Sequence, residues 1–480
     1  MTDTIIEGGA VVTMDESRQV FTDGAVAIEG DSIVAVGPTE QIRSDYDADR
    51  IIDASRNAVL PGFVDPHTHI SSILLRGGNT SDRTLYDWLF NVTKPARAQM
   101  TAEEHAIASA LFCREALQSG ITTIVESAVG GGSGYTDDLV EAKMDVYESA
   151  GLRHVFAQSF IDDGMEASLR EYVDRKMATE PAVEEPAGSF TDTEEALTTA
   201  ERLMETYHGS RDGRQSVWSG PLSPRSTTEE GLRGAYRLAE EYDAMTTTHV
   251  SETEHEEAAM GDHQTMVEYL DDVGYLGERA VLAHCVHVSD RDIRRLAETG
   301  TSVAHNITAN LALGAGVAPV EQMRARGVTV GIGTDNATTS DTIDILGDAR
   351  IAMYTQRGHH RDPTVMNPLD ALEMITIDGA RAIRRGDELG SIEPGKKADL
   401  SVVEMDNTMT TPHYELHSSV LLQAYRNTFE TVMCHGEVVV ADGEPTGLSE
   451  FGDELLDMAS DASEDIVRRT GLVELFEGIN

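Results

Sequence analysis

The segment Pro61-Gly62-Phe63-Val64-Asp65-Pro66-His67-Thr68-His69 holds two histidines at positions i and i+2. On a strand that spacing turns both imidazoles to one side, where they could grip one ion together. Imidazole suits zinc, iron or nickel. A lone His-x-His also arises by chance as two polar residues at a strand end, so its weight depends on what joins it. Three further segments do: His249-Val250-Ser251-Glu252, Ala283-His284-Cys285-Val286-His287 and Gly333-Thr334-Asp335-Asn336. In each, a metal-ligating or proton-transferring side chain follows an apolar run rich in β-formers. That is where parallel barrels keep their chemistry. A core role would require several buried polar groups to be satisfied in one place, and a metal does that directly.

The elements that must position these residues follow from the alternation of short β-rich runs with longer helical stretches. Eight strands are expected: Gly62–His69, Thr122–Ala128, His154–Phe160, Ser216–Ser223, Met245–Glu252, Ala280–Val286, Ser302–Asn306 and Val328–Asp335. Between them lie helical patterns such as Ala102–Ser119, Glu194–Tyr207, Thr228–Tyr242 and Asp290–Thr299. Alternation of this kind makes a parallel sheet, and eight units point to an α/β fold of the (β/α)8 TIM-barrel type. An open doubly wound sheet is the rival. No Gly-rich dinucleotide turn follows the first strand, and Gly130-Gly131-Gly132-Ser133-Gly134 lacks phosphate-loop spacing.

Outside the barrel, Thr4–Asp15, Val26–Gly37 and Arg50–Asp53 share a Val/Ile-rich, turn-punctuated texture with Gly390–Met405 and Thr431–Gly443. A small composite β-sandwich domain built from both termini is therefore expected. The domain limits are residues 1–60 with 388–448 for this small domain, 61–387 for the barrel and 449–480 for an acidic helical tail. Thr179–Asp192 reads as an exposed insertion or lid.

Composition excludes several roles. Asp and Glu number 84 against 37 Lys and Arg, for a formal net charge of −47, which opposes nucleic acid and anionic lipid. The lysines are only Lys94, Lys143, Lys176, Lys396 and Lys397. Such an acidic, Lys-poor globular chain points to a halophilic cytoplasmic protein, its self-repulsion screened by salt. Cys113, Cys285 and Cys434 are odd in number and widely spaced, which suits a reducing compartment and no thiolate site. No secretory signal or membrane span is expected: Met1-Thr2-Asp3-Thr4 lacks a basic start, and no apolar run reaches about 18 residues.

Taken together, these residues resemble the amidohydrolase superfamily, in its aminohydrolase and triazine-hydrolase branch, which includes methylthioadenosine/S-adenosylhomocysteine deaminases. The resemblance runs over nearly the whole chain, including Ser302-Val303-Ala304-His305-Asn306, Gly316-Val317-Ala318-Pro319 and Ser391-Ile392-Glu393-Pro394-Gly395-Lys396-Lys397-Ala398-Asp399-Leu400. It implies that His67, His69, His249 and Asp335 hold one divalent transition metal, most simply zinc, with iron or nickel as alternatives. It further implies Glu252, His284 and Asp335 as catalytic groups, and Trp88, Arg97, His287 and His305 as substrate contacts. A second metal would need a bridging lysine at a strand end, and Lys143 and Lys176 fall elsewhere.

The expected activity is hydrolytic deamination of a small amino-substituted purine, pyrimidine or triazine ring by a homo-oligomer. The alternatives are dechlorination or dealkylamination of a triazine-like ring, cyclic amide hydrolysis, and, more remotely, a non-catalytic scaffold. Three pocket segments depart from the adenosine-type pattern. Ala96 and Arg97 stand where an acid binds ribose, Leu222 replaces a histidine after Gly220-Pro221, and Ile307-Thr308-Ala309-Asn310 replaces Pro-x-Ser-Asn.

Overall fold

The structure, a computed structural model, describes residues 2–78, 83–130, 134–162, 192–257 and 265–476. The insertion expected at Thr179–Asp192 lies outside the described residues apart from Asp192.

The amino-terminal strands are β1 (Thr2–Val12), β2 (Val20–Glu29), β3 (Ser32–Pro38), β4 (Ala48–Asp53) and β5 (Asn57–Pro61). The barrel strands are β6 (Phe63–His69), β7 (Ile121–Val129), β8 (Arg153–Phe160), β9 (Gln215–Pro221), β10 (Thr246–Val250), β11 (Ala280–His284), β12 (Ser302–His305), β13 (Val330–Ile332) and β14 (Asp335–Asn336). After the barrel come β15 (Leu400–Glu404), β16 (Phe429–Cys434), β17 (Glu437–Ala441) and β18 (Glu444–Pro445).

Strands β6 to β13 pair in parallel with their sequence neighbours, and β14 returns to pair with β6. The eighth expected strand is thus split. Val330–Ile332 pairs with the seventh barrel strand, Asp335–Asn336 pairs with the first, and the two halves together close the ring. The break has a local cause. A Cβ on Gly333 would meet Asn306 Oδ1 at 2.5 Å and the His67 carbonyl at 2.7 Å, so only glycine fits, and Asp335 takes a left-handed φ of 57°. Left-handed backbone also ends β10 and β11 earlier than their apolar runs suggest, at Ser251 (φ 50°) and at His284 and Cys285 (φ 74° and 48°). Non-glycine residues rarely adopt this region, and such strain concentrates at functional sites.

The surrounding helices start where short polar side chains stop the backbone. Thr101, Thr136, Asp192, Thr228, Thr265 and Ser289 each accept a hydrogen bond from a first-turn N–H, and Thr101 and Ser289 complete capping boxes. The carboxy-terminal helix Leu455–Thr470 buries Leu455, Ala459, Ala462, Ile466 and Val467, a stripe at helical spacing. Its Arg469 bonds both Glu104 oxygens at 2.7 Å, which fastens it to the helix Ala102–Gln118.

The second sheet runs β18-β17-β16-β15-β5-β1-β2-β3, with β4 also on β1, so both ends of the chain build it. Strand β1 is irregular at Glu7–Gly9 and changes partner there, pairing with β4 before and β5 after. A bulged strand that switches partners turns a corner, and the sheet encloses Ile6, Val11, Val26, Ile28, Ile33, Leu400 and Val402.

This sheet is bolted to the base of the barrel by a buried ion pair. Arg153 Nε and Nη2 reach the two Asp399 oxygens at 3.0 and 3.1 Å, and Asp399 also accepts the His435 N–H at 2.9 Å. Removing one partner of such a pair leaves the other charge buried and alone. Asp399→Ala is therefore expected to cost about 3–5 kcal/mol in denaturant unfolding, whereas a loss under about 1 kcal/mol, the worth of an exposed pair, would show that the contact does not join the two sheets.

Candidate metal centre

The carboxyl ends of β6, β10 and β11 and the first residue of β14 bring His67, His69, His249, His284 and Asp335 to one buried point. Ligand atoms of His67, His249 and His284 lie within 4.8 Å of one another, as do those of His67, His69 and Asp335. Asp335 Oδ1 is 3.5 Å from His67 Nε2 and 3.6 Å from His69 Nε2.

Hydrogen bonding settles which ring nitrogens are bare. His69 Nδ1 lies 2.9 Å from the Ser127 carbonyl, and His249 Nδ1 lies 2.7 Å from the Leu222 carbonyl. A carbonyl oxygen can only accept, so both Nδ1 atoms carry the proton and donate. Burial pushes His69 down to about 3 and His249 far below its usual value, with neighbouring imidazoles adding to both, so these rings are neutral. Their Nε2 atoms are therefore unprotonated, and they face each other at 3.1 Å. Two lone pairs at that distance repel. His67, fully buried, finds no hydrogen-bond partner for either ring nitrogen.

Asp335 adds a negative charge to this cluster of acceptors. Burial opposes its ionisation, but the imidazoles of His67, His284 and His69 outweigh that and hold it well below the usual carboxylate range. An enclosure of bare nitrogens and one carboxylate, with His69 and His249 each steered by a backbone carbonyl, fits a divalent transition ion and fits nothing neutral. Lys143 offers no bridge to a second ion. It sits on the helix Asp137–Ala150 with its ammonium tied to Glu126 and to Ser71 Oγ at 3.3 Å.

Glu252 stands beside the cluster, its Oε2 3.8 Å from His284 Nε2. Burial pushes Glu252 up to about 7; His284 pulls it down, and the Glu256 carboxylate pushes it further up. His284 behaves oppositely: burial lowers it, but the Glu252 and Asp335 carboxylates win and raise it. Its Nδ1 meets Asn310 Oδ1 at 2.9 Å, which fixes the ring.

A cleft of about 910 Å³, its open mouth included, lies over these groups. Its walls include Leu85, Tyr86, Trp88, Leu89, Phe90, Arg97, Leu222 and Leu313, and its floor His69, His249, Glu252, His284 and Asp335. Trp88 Nε1 donates to Thr338 Oγ1 at 3.1 Å, so the indole face is held in place. His287 and His305 are not lining residues. His287 Nε2 donates to the Ala315 carbonyl at 2.7 Å, and His305 is enclosed at the end of β12 with neither ring nitrogen bonded.

Several supporting residues were not assigned a role from the sequence. Asp65 accepts the N–H groups of His67 and Thr334, both at 3.2 Å, and Thr334 Oγ1 at 2.6 Å, locking the first strand to the broken eighth. Glu256, paired with Arg225, accepts the Glu252 N–H at 2.7 Å and holds that loop. The spacing of Asp65 two residues before His67, and of Glu256 four after Glu252, was the available signal.

Residues 58–439 match the Amidohydrolase family, and residues 24–48 match a bacterial imidazolonepropionase-like composite domain. The chain is 31% identical over 98% of its length to a 5'-deoxyadenosine deaminase of Methanosarcina barkeri, covering 99% of that protein. It is 30% identical to an S-triazine hydrolase of Gordonia rubripertincta, over 98% of both chains. Among solved structures, an adenosine deaminase from Xanthomonas campestris with bound zinc superposes with a TM-score of 0.85 at 26% identity, over 97% of this chain and 98% of that one. The chain belongs to the amidohydrolase family.

Metal analysis of the purified protein is expected to return close to one equivalent of a divalent transition metal, and His67→Ala is expected to lose it. A stoichiometry near two, or full retention by that variant, would contradict the donor set.

Proposed function

We propose that this amidohydrolase is a metal-dependent deaminase of an amino-substituted N-heterocycle. The observation that carries the reading is Glu252: a buried carboxyl, pushed up to about 7, on the floor of the cleft next to the metal-ligand cluster. A group poised near neutrality can both take and give a proton at working pH. The deaminase and triazine-hydrolase names of the relatives support the ring chemistry, and the zinc-bound neighbour supports zinc as the metal.

In this reading His67, His69, His249 and Asp335 hold the ion. The bound ion supplies a water acidic enough to act as nucleophile near neutral pH. Glu252 takes a proton from the attacking water and gives it to a ring nitrogen, which makes the adjacent carbon electrophilic. His284, steered by Asn310, steadies the oxygen that adds to that carbon. Asp335 accepts the second proton and passes it to the departing ammonia. Trp88 supplies a flat apolar face for the ring.

A second reading, displacement of chloride or alkylamine from a triazine-like ring, is favoured by the Gordonia relative and by Ala96, Arg97 and Leu222 in the pocket. Ammonia release, chloride release and amine release across a purine, pyrimidine and triazine panel separate the two.

The acidic surface supports a halophilic, cytoplasmic setting; no described helix is long and apolar enough to cross a membrane. With a charge of −47, stability is expected to rise from dilute to molar potassium chloride, as the Debye length falls from about 10 Å at 0.1 M to about 3 Å at 1 M. Full stability and activity at low ionic strength would remove the halophile reading.

Glu252→Gln keeps the shape of the side chain but not its transferable proton. It is expected to retain metal and substrate binding while turnover falls by about 10²–10⁴-fold. Turnover within threefold of wild type would take Glu252 out of the mechanism and make the displacement reading the better one.

A further inference from the structure

In a chain with so few positive charges, nearly every buried or half-buried arginine has an acidic partner. Arg153 has Asp399, Arg225 has Glu256, Arg18 has Glu373 and Arg350 has Asp344. Arg214 and Arg357 lack one but donate to backbone carbonyls, whereas Arg97 has neither among the described residues. It lines the cleft over the metal-ligand cluster and also the small cavity behind His69. Its Nε is enclosed without a hydrogen-bond acceptor, and among the described residues it forms no ion pair; Glu126, which lines the small cavity with it, is paired with Lys143 and His154. Burial pulls Arg97 down to about 10, so it remains a cation at working pH.

An enclosed guanidinium without a counterion is costly unless something supplies the acceptors. Much of the shared wall is apolar, Leu85, Trp88, Leu89 and Phe90, and the carboxylates on the floor are committed elsewhere, Glu252 beside His284 and Asp335 beside His67 and His69. The planar fork of an arginine matches two oxygens of an anion better than it matches a neutral hydroxyl.

We propose that the ring substrate carries an anionic oxygen group, a carboxylate or an acidic ring oxo, and that Arg97 receives it. This rests on the deaminase reading of the same cleft and narrows its substrate class.

The test uses the metal-loaded full chain as wild type, R97Q and R97K, with metal content as the check on folding. Calorimetry measures binding of 4-aminopyrimidine-5-carboxylate against its carboxamide, and of an amino-dioxo-triazine against its dimethoxy analogue; ammonia release is followed in parallel. Wild type is expected to bind the anionic member of at least one pair about 10- to 100-fold more tightly, the worth of a charge-assisted hydrogen bond. R97Q is expected to erase that gap and leave the neutral ligands unchanged, and R97K to keep part of it. Preference confined to one pair identifies the carboxylate or the oxo group. No anionic preference in wild type, or a gap that survives R97Q, overturns the proposal. Ammonia from neutral rings without dependence on Arg97 would overturn it and leave the deaminase reading standing. Arg97-dependent binding without ammonia would do the reverse.

Discussion

Two bare imidazole nitrogens, His69 Nε2 and His249 Nε2, face each other at 3.1 Å beside an ionised Asp335, and the rest of the barrel is arranged around that repulsion. Neutral rings in contact through their lone pairs are tolerable only with a cation between them. The proton that would relieve the contact is kept away twice over. Burial disfavours imidazolium, and the Ser127 and Leu222 carbonyls hold each proton on the far nitrogen. The strand ends that supply these carbonyls are as much a part of the cluster as the imidazoles they orient.

Holding that geometry requires backbone that ordinary strands do not adopt. Ser251, His284, Cys285 and Asp335 all take left-handed φ where β10, β11 and the eighth strand stop. Strain of this kind persists only when the surroundings over-determine it. Here Asp65 clamps Thr334 to the first barrel strand, Thr68 Oγ1 donates to the Asp335 carbonyl at 2.9 Å, and Glu256 fixes the Glu252 N–H. The ties of Asp65 to Thr334 and of Thr68 to Asp335 join residues 269 and 267 positions apart, so the ring must close before the site exists.

Charge is handled differently outside and inside. The exposed surface carries the excess of carboxylates, where salt screens them and each pair contributes little. Inside, the charges are few and matched: Glu126 with Lys143, Arg153 with Asp399, Glu256 with Arg225. Against that pattern the unmatched Arg97 and the raised Glu252 stand out, and both open on the same cleft.

The amino-acid order alone determined the barrel, because a period of apolar β-runs, capped helices and turns is local chemistry: the expected strands from Gly62–His69 to Ser302–Asn306 are all present within a few residues. It also marked His67, His69, His249, His284, Glu252 and Asp335, since each sits just past an apolar run. Only the tertiary structure decided the rest. That Val328–Asp335 is two short strands depends on Gly333 meeting His67 and Asn306 across the barrel. That His287 and His305 turn away from the cleft while Trp88 and Arg97 line it depends on loops whose course no spacing encodes. The partners that set protonation, Ser127, Leu222, Glu256 and Asn310, are mostly backbone groups or residues from other elements. Their roles come from distance and direction, which a linear sequence does not carry until the chain has folded back on itself.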